Sequence, residues 1–389
     1  MKKPFFLVLT LSFFLADCAS LTPLQKTQLI PVFHLIETNK YNEARGAVED
    51  LVSDSVAAGW PRTWYARGLL SHNAYREGIT KNDRKLTELY PDQLFVAYES
   101  YQKADSLDAN GKLDKQLFPK YVLLANDFQK LGEREFNAKK YPEALRAFEH
   151  ALQIIERPAF ELRLDTNLLY NASLAAFEAN KWQKAIKYLD RLHHYEFSAN
   201  VAHLLFSAHL AQGDTLKAEK AITQGIEKYE ENENLVLVLA DLKLNQNNVP
   251  RALLVLDQAI LRHPENHVYY NTKGLIYQKT EDYQNAIEAF KKAIELAPEQ
   301  LDIYINLATS YYNIGVDIDE NARSITNMML VQAERQKSAT AFETAMFWLD
   351  KVYYEDPDDQ ALLRRLYELY RLLRVTDKTI SLEGKIRWL

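Results

Sequence analysis

The sequence predicts an all-α fold, a superhelical solenoid of antiparallel helix hairpins with no sheet. The first observation is a repeat with a fixed interval of 34 residues in the second half of the chain. Ala252, Leu256, Ala259 and Pro264 recur there as Ala286, Phe290, Ala293 and Pro298. The second observation is that 389 residues include only 11 glycines and 12 prolines, and that alternating apolar stretches bounded by turn signals are hard to find. Such an array buries apolar surface between neighbouring units rather than in one globule.

Each unit is expected to contain two packed helices. An alanine followed by apolar or small residues at i+4 and i+7 forms one helical face, and the alanine lets the second helix approach closely. The same spacing occurs upstream at Ala44, Val48, Leu51; Ala97, Tyr101, Ala104; Ala144, Phe148, Ala151; Ala185, Leu189, Leu192; and Ala218, Ile222, Gly225. We therefore expect about eight repeats within a domain that covers residues 28–389.

The most regular unit, residues 267–300, has an aromatic residue, a glycine and a second aromatic residue ahead of its alanine. Its pattern is Tyr270, Gly274, Tyr277, Ala286, Phe290, Ala293 and Pro298. This pattern resembles the signature of the tetratricopeptide repeat family. The resemblance covers most of residues 28–373 and implies a non-catalytic protein that binds protein or peptide partners.

The resemblance also implies where a partner would bind. In this family the first helix of each hairpin lines the groove that holds a bound segment. The groove positions not used for packing are Tyr170, Asn171, His203, Asp241, Asn271, Asn306, Tyr312 and Asn313. Amide side chains can pair with both donors and acceptors of an extended peptide backbone. The alternative is that these are ordinary solvent-facing residues of soluble helices.

Three segments break the repeat interval. Between residues 311 and 345 the spacing is exceeded by about two dozen residues, yet no glycine or proline follows Gly315 until Pro357. This predicts that both helices of a hairpin are lengthened into an arm with its tip near residues 330–337. The alternative is that the arm packs onto the next repeat. Residues 71–94 and 105–118 are expected to interrupt or widen the array.

The N-terminus is typical of an exported protein. Lys2 and Lys3 precede an apolar run over residues 5–16 that is too short to span a bilayer. This predicts a signal peptide over residues 1–17 and a tether over 18–27. Leu15-Ala16-Asp17-Cys18 resembles a bacterial lipobox, although a small neutral residue is usual at Asp17. The resemblance implies lipidation of Cys18 and a lipid anchor in the cell envelope, at the outer membrane. The alternative is ordinary cleavage, which leaves a soluble periplasmic or secreted protein.

No catalytic, cofactor or metal site is expected. The net charge of −6 and the pI near 5.9 argue against nucleic-acid binding, and no phosphate loop or HExxH motif occurs. The closest histidines are His193 with His194 and His263 with His267. The latter two are four residues apart, but Pro264 lies between them and marks a loop between repeats.

Our hypothesis from the sequence is a scaffold or adaptor lipoprotein that binds a protein or peptide and is not an enzyme. We do not expect a small-molecule ligand or a cofactor. The alternative is a surface or periplasmic lipoprotein that binds glycans or nutrients and has the same repeat scaffold. Such proteins carry long segments outside the repeats, and little of this sequence lies outside them.

Overall fold

The computed structural model describes residues 21–158, 165–195, 198–230 and 232–386. These ranges contain α-helices and one short 3₁₀-helix, Ala57–Gly59, but no β-strand. The helices are α1 Pro23–Glu37, α2 Tyr41–Ser53, α3 Pro61–Lys81, α4 Arg84–Thr87, α5 Gln93–Leu107, α6 Asp114–Asn137, α7 Tyr141–Ile155, α8 Thr166–Glu178, α9 Trp182–His194, α10 Ala199–Ala211, α11 Thr215–Lys228, α12 Glu233–Asn245, α13 Val249–Arg262, α14 His267–Lys279, α15 Tyr283–Leu296, α16 Leu301–Ala322, α17 Met328–Glu355, α18 Gln360–Leu372 and α19 Thr376–Glu383. The expected all-α architecture of consecutive helix hairpins is confirmed.

The chain divides into two compact units, one up to Leu204 and one from Leu205 onward. Within each unit, helices pack mainly against their neighbours in the chain. The cores of the second unit are accordingly local, and one of them lies between α12, α13 and α14. The expected signal peptide and Cys18 lie outside the described residues.

A three-residue turn closes most of the hairpins, and its middle residue has a left-handed backbone. Among the described residues this position is occupied by Asn39, Lys139, Asn180, Gly213, Asn247, Glu281 and Arg374, with φ between 55° and 78°. Glycine and asparagine adopt this conformation readily, whereas a longer side chain is strained in it. A turn this short forces the second helix to run antiparallel to the first.

Glycine on the first helix of a hairpin lies against an aromatic ring on the second. A Cβ atom added to Gly132 would lie 2.5 Å from the Phe148 ring, and one added to Gly68 would lie 2.5 Å from the Tyr101 ring. Only glycine permits so close an approach of the ring to the helix backbone. These glycine–aromatic contacts therefore hold the two helices of a hairpin together, and the repeat spacing places the two residues opposite each other.

The hairpin of α16 and α17 is lengthened, with helices of 22 and 28 residues. The turn lies at residues 323–327, earlier than the expected tip at 330–337. The side chain of Asn327 accepts hydrogen bonds from the backbone N–H groups of Met329 and Leu330, which starts α17 there. Most side chains from 323 to 337 are exposed. The arm therefore projects into solvent instead of packing onto the next repeat.

The interruption at residues 71–94 consists of the long α3, the single turn α4 and a buried connection into α5. Gln93 holds this connection, because its side-chain nitrogen donates to the backbone oxygens of Ser71 and Leu86, both at 2.9 Å. The Ser71 hydroxyl donates in return to the backbone oxygen of Gln93 at 2.7 Å. The hairpin partner of α3 is therefore α5, with α4 inserted between them.

Candidate functional site

The groove residues expected from the sequence all lie on first helices of hairpins. Tyr170 and Asn171 are on α8 and His203 is on α10, within the first unit. Asp241 is on α12, Asn271 is on α14, and the remaining three, Asn306, Tyr312 and Asn313, are on α16, all within the second unit.

Asn271 and Asn306 meet across two neighbouring repeats. The Asn306 side-chain nitrogen donates to Asn271 Oδ1 at 3.4 Å. Asn271 Nδ2 and Asn306 Oδ1 have no hydrogen-bond partner among the described residues, and both side chains are partly exposed. The pair therefore presents one donor group and one acceptor atom side by side, which is the combination that a peptide backbone requires.

Gln278 fixes this pair in position. It lies seven residues after Asn271, on the same face of α14. Its side-chain nitrogen donates to the backbone oxygen of Asn306 at 3.0 Å and to the Ser310 hydroxyl at 2.9 Å. Because Ser310 is fully buried, these bonds tie α14 to α16 beneath the amide pair.

Asn313 extends the polar face of α16, whereas Tyr312 lies about a third of a turn away, on the face beside α17. Asn313 follows Asn306 by seven residues and hydrogen-bonds the hydroxyl of Tyr283. Burial, with the nearby charges of Asp317 and Glu281, raises the pKa of Tyr283, and the bond from Asn313 opposes this shift. Tyr312 is 39% exposed, and its ring centroid lies 5.3 Å from that of Phe342 on α17. It is the aromatic side chain of this face that a ligand could contact.

The other expected residues do not join this amide pair. Asp241 is exposed and accepts a hydrogen bond from Asn245, one turn later on the same helix, at 3.0 Å. The Tyr170 hydroxyl accepts from Asn200 at 2.7 Å. Asn171 lines a cavity of about 290 Å³ together with Phe136 and Phe148, and His203 is exposed.

One cavity was not anticipated from the sequence. It measures about 700 Å³ and lies where the interruption at 71–94 meets α6 and α7. Its floor is apolar, with Leu89, Leu94 and Phe95 buried. At its rim, Arg146 lies 3.6 Å from the Phe95 ring centroid and 2.8 Å from Asp92. The broken repeat interval identified residues 71–94 as irregular, but the cavity depends on how this segment folds against α6 and α7.

Among the described residues, no group of three or more His, Cys, Asp or Glu side chains could hold a metal ion. In the same part of the chain, no helix combines the length and the apolar character needed to cross a membrane.

The tetratricopeptide repeat family matches the chain over two overlapping segments, residues 209–276 and 267–300. Residues 209–300 therefore carry tetratricopeptide repeats. The matched segments cover α11 to α15, which include Asp241 and Asn271. Tetratricopeptide repeats generally mediate binding to protein partners. Asn271 and Gln278 of the candidate site lie within the matched residues, whereas Asn306 and Tyr312 on α16 lie beyond them.

A human relative has similar sequence in part of its length. The PEX5-related protein of Homo sapiens is 27% identical over 128 residues, which is 33% of this chain. The matched part is 20% of the human protein, so this chain spans about a fifth of that relative.

Solved structures with a related arrangement also contain such repeats. A TPR repeats protein from Bacteroides fragilis is 18% identical with a TM-score of 0.34, and the match covers 64% of this chain and 98% of that one. The C-terminal part of a TPR repeat-containing protein from Cytophaga hutchinsonii is 14% identical with a TM-score of 0.39, covering 65% and 98%.

Proposed function

We propose that the protein is a non-catalytic scaffold that binds a protein or peptide partner along the first helices of its second unit. The observation that carries this proposal is the amide pair of Asn271 and Asn306. The free donor of one amide and the free acceptor of the other can bind the C=O and N–H groups of an extended backbone. Recognition of this kind tolerates many side-chain sequences, which suits an adaptor.

The rigidity of the site supports this function. Gln278 and the buried Ser310 hold α14 and α16 together under the amide pair, so the two amides need little reorganisation when a partner binds. A preorganised site loses less conformational entropy on binding. Tyr312, six residues after Asn306 on α16, offers exposed apolar surface to a partner side chain.

We propose that the protein acts in the bacterial cell envelope, held there by a lipid anchor on Cys18. The short apolar run before a single cysteine supports a lipid anchor at that residue. With Cys18→Ser, we expect the protein to leave the membrane fraction and appear in the soluble fraction. The matched control is Ser20→Ala, which should stay in the membrane fraction. Unchanged membrane association of Cys18→Ser would contradict the anchor.

The binding proposal is tested by crosslinking in native membranes. A photo-crosslinking residue at position 312 should form a defined adduct with one protein partner. The double variant Asn271→Ala, Asn306→Ala should weaken that partner's affinity about tenfold, because two hydrogen bonds of about 0.5–1.5 kcal/mol each are removed. Asn42→Ala removes an exposed amide from α2 in the first unit and serves as the control.

Two outcomes would redirect the proposal. Crosslinking that is equal in the double variant and in Asn42→Ala would show that the amide pair is not the site. Calorimetry in which oligosaccharides bind the protein and Tyr312→Ala abolishes that binding would favour the glycan-binding alternative.

A further inference from the structure

A cleft between α3 and α6 in the first unit carries an excess of positive charge. Its volume is about 470 Å³. Arg76 and Ile79 of α3 line one side, and Lys130 and Arg134 of α6 line the other. The whole chain has a net charge of −6, so the cluster of cations in this cleft contrasts with the acidic composition of the chain.

The carboxylates nearby are each already bound to a cation. Glu77, which also lines the cleft, is paired with Lys81 at 2.5 Å. Asp127 is shared, since its Oδ2 lies 3.3 Å from Arg76 Nε and 2.8 Å from Nε2 of the buried His72. Arg134 is paired with Glu135 at 2.9 Å. Lys130 has no ion-pair partner in the part of the chain that the structure describes.

Lys120 adds a second unpaired cation to the same face of α6. It precedes Asp127 by seven residues and Arg134 by fourteen, so the three residues lie on one face of the helix. It too has no ion-pair partner among the described residues. Burial, and next the charge of Arg76, lower the pKa of Lys120. The ammonium group is therefore held in a position that lacks a counter-charge, and a bound anion would supply it.

The cleft is also partly apolar, and the cationic face of α6 continues beyond it to Lys120. Ile79 is 51% exposed on α3, and the buried Tyr75 lies beside it. From Lys120 to Arg134 the helix rises by about 21 Å, at about 1.5 Å per residue. An extended chain of about six or seven residues covers that distance. An apolar wall beside a row of cations fits a peptide with acidic and apolar side chains better than it fits a nucleic-acid backbone.

We propose that the cleft between α3 and α6 binds an acidic segment of a protein partner, with carboxylates at Lys120 and Lys130 and an apolar side chain against Ile79. This inference rests on the proposed function as a protein-binding scaffold. It assigns that function a second contact in the first unit, distinct from the amide pair on α14 and α16.

The test uses the full-length protein and two fluorescein-labelled peptides of about seven residues. One consists of glutamate with a central leucine, and the other has glutamine in place of glutamate. Fluorescence anisotropy at low ionic strength should give an affinity for the glutamate peptide about tenfold above that for the glutamine peptide. Added salt should reduce this difference, because it screens charges near the surface.

The variants locate the site. Lys120→Gln with Lys130→Gln should weaken binding of the glutamate peptide about tenfold, or about threefold for each partly exposed charge pair. Lys103→Gln removes one exposed lysine from α5, outside the cleft, and should bind as the wild type does. Circular dichroism would establish that the variants are folded, and the comparison of the two peptides on the wild type stands without them.

Three results would overturn the inference. The two peptides could bind equally, or the double variant could bind the glutamate peptide as tightly as Lys103→Gln does. Vesicles containing phosphatidylglycerol could bind in a Lys120- and Lys130-dependent way while neither peptide binds, which would assign the cleft to lipid headgroups. If any of these results is obtained while crosslinking at position 312 still yields its partner, the proposed function stands and only the inference about the cleft fails. Loss of the adduct at position 312 would count against the proposed function and not against the cleft.

Discussion

Gly274 lies so close to Phe290 that a Cβ atom on the glycine would be 2.4 Å from Cε1 of the ring. The same relationship joins Gly132 to Phe148, again 16 residues later, at 2.5 Å. Gly315 and Phe342 keep it at 2.7 Å although 27 residues separate them. The arm is therefore inserted within the hairpin of α16 and α17, and this hairpin keeps the glycine–aromatic contact of the shorter ones.

Gly274→Ala should destabilise the protein even though alanine is the better helix former. The helix gains about 1 kcal/mol from the substitution, but the added methyl collides with a fully buried ring, and such overpacking costs about 1–3 kcal/mol or more. Urea denaturation should show a lower free energy of unfolding. Gly46→Ala on α2, where nothing lies within 4 Å of the new Cβ, is the matched control and should stabilise by about 0.5–1 kcal/mol. A stabilised Gly274→Ala variant would contradict the packing at Phe290.

Glu281→Asn should stabilise the turn between α14 and α15. Glu281 has φ of 63°, a left-handed conformation that costs a long side chain about 1 kcal/mol and that asparagine tolerates. We expect a gain of several tenths of a kcal/mol in thermal unfolding. Asn247→Glu, the reverse change in the equivalent turn between α12 and α13, where φ is 55°, should destabilise by a similar amount. Changes of the same sign in both variants would argue against this account.

Alkaline pH should lower the free energy of unfolding from about pH 10 upward. Burial raises the pKa of Tyr121 to about 12, from an ordinary value of 10.0. A raised pKa means that the folded state keeps a proton which the unfolded state loses, so this contribution to stability is full below pH 10 and is lost progressively between pH 10 and 12. Tyr121→Phe should reduce the slope of stability against pH by up to about 1.4 kcal/mol per pH unit. Denaturant titrations at several pH values measure this slope, and parallel curves for both proteins would contradict it.

The arm should tolerate changes at its tip but not at its base. Met328 and Met329 are 78% and 82% exposed, so replacing both with glutamine should alter the free energy of unfolding by less than about 0.5 kcal/mol. Phe342 lies at the base of the arm, in the middle of α17. Phe342→Ala removes a buried ring packed on Gly315 and should cost about 3–5 kcal/mol. Equal losses in the two variants would show that the tip is packed after all.

The sequence predicts more about the amide pair than about the cationic cleft. Asn271 and Asn306 lie on the first helices of consecutive repeats, but at positions that differ by one residue from the repeat interval. Their place on first helices could therefore be predicted, although their hydrogen bond could not. The cleft joins Arg76 of α3 to Lys130 of α6, and α4 and α5 lie between those helices in the chain. No repeat interval relates the two residues, because the interruption at 71–94 changes the spacing.

The sequence by itself determined that this protein is all-α and built from helix hairpins, because the spacing of alanine and aromatic residues acts through contacts within one hairpin or between neighbours. It also located the lengthened hairpin. Tertiary structure alone decided that the arm turns at 323–327, where Asn327 caps α17 although the apolar stripe continues. It also decided that Lys120 and Lys130 have no carboxylate partner within the described part of the chain. Those features depend on which distant side chains meet in space, and local periodicity contains no information about that.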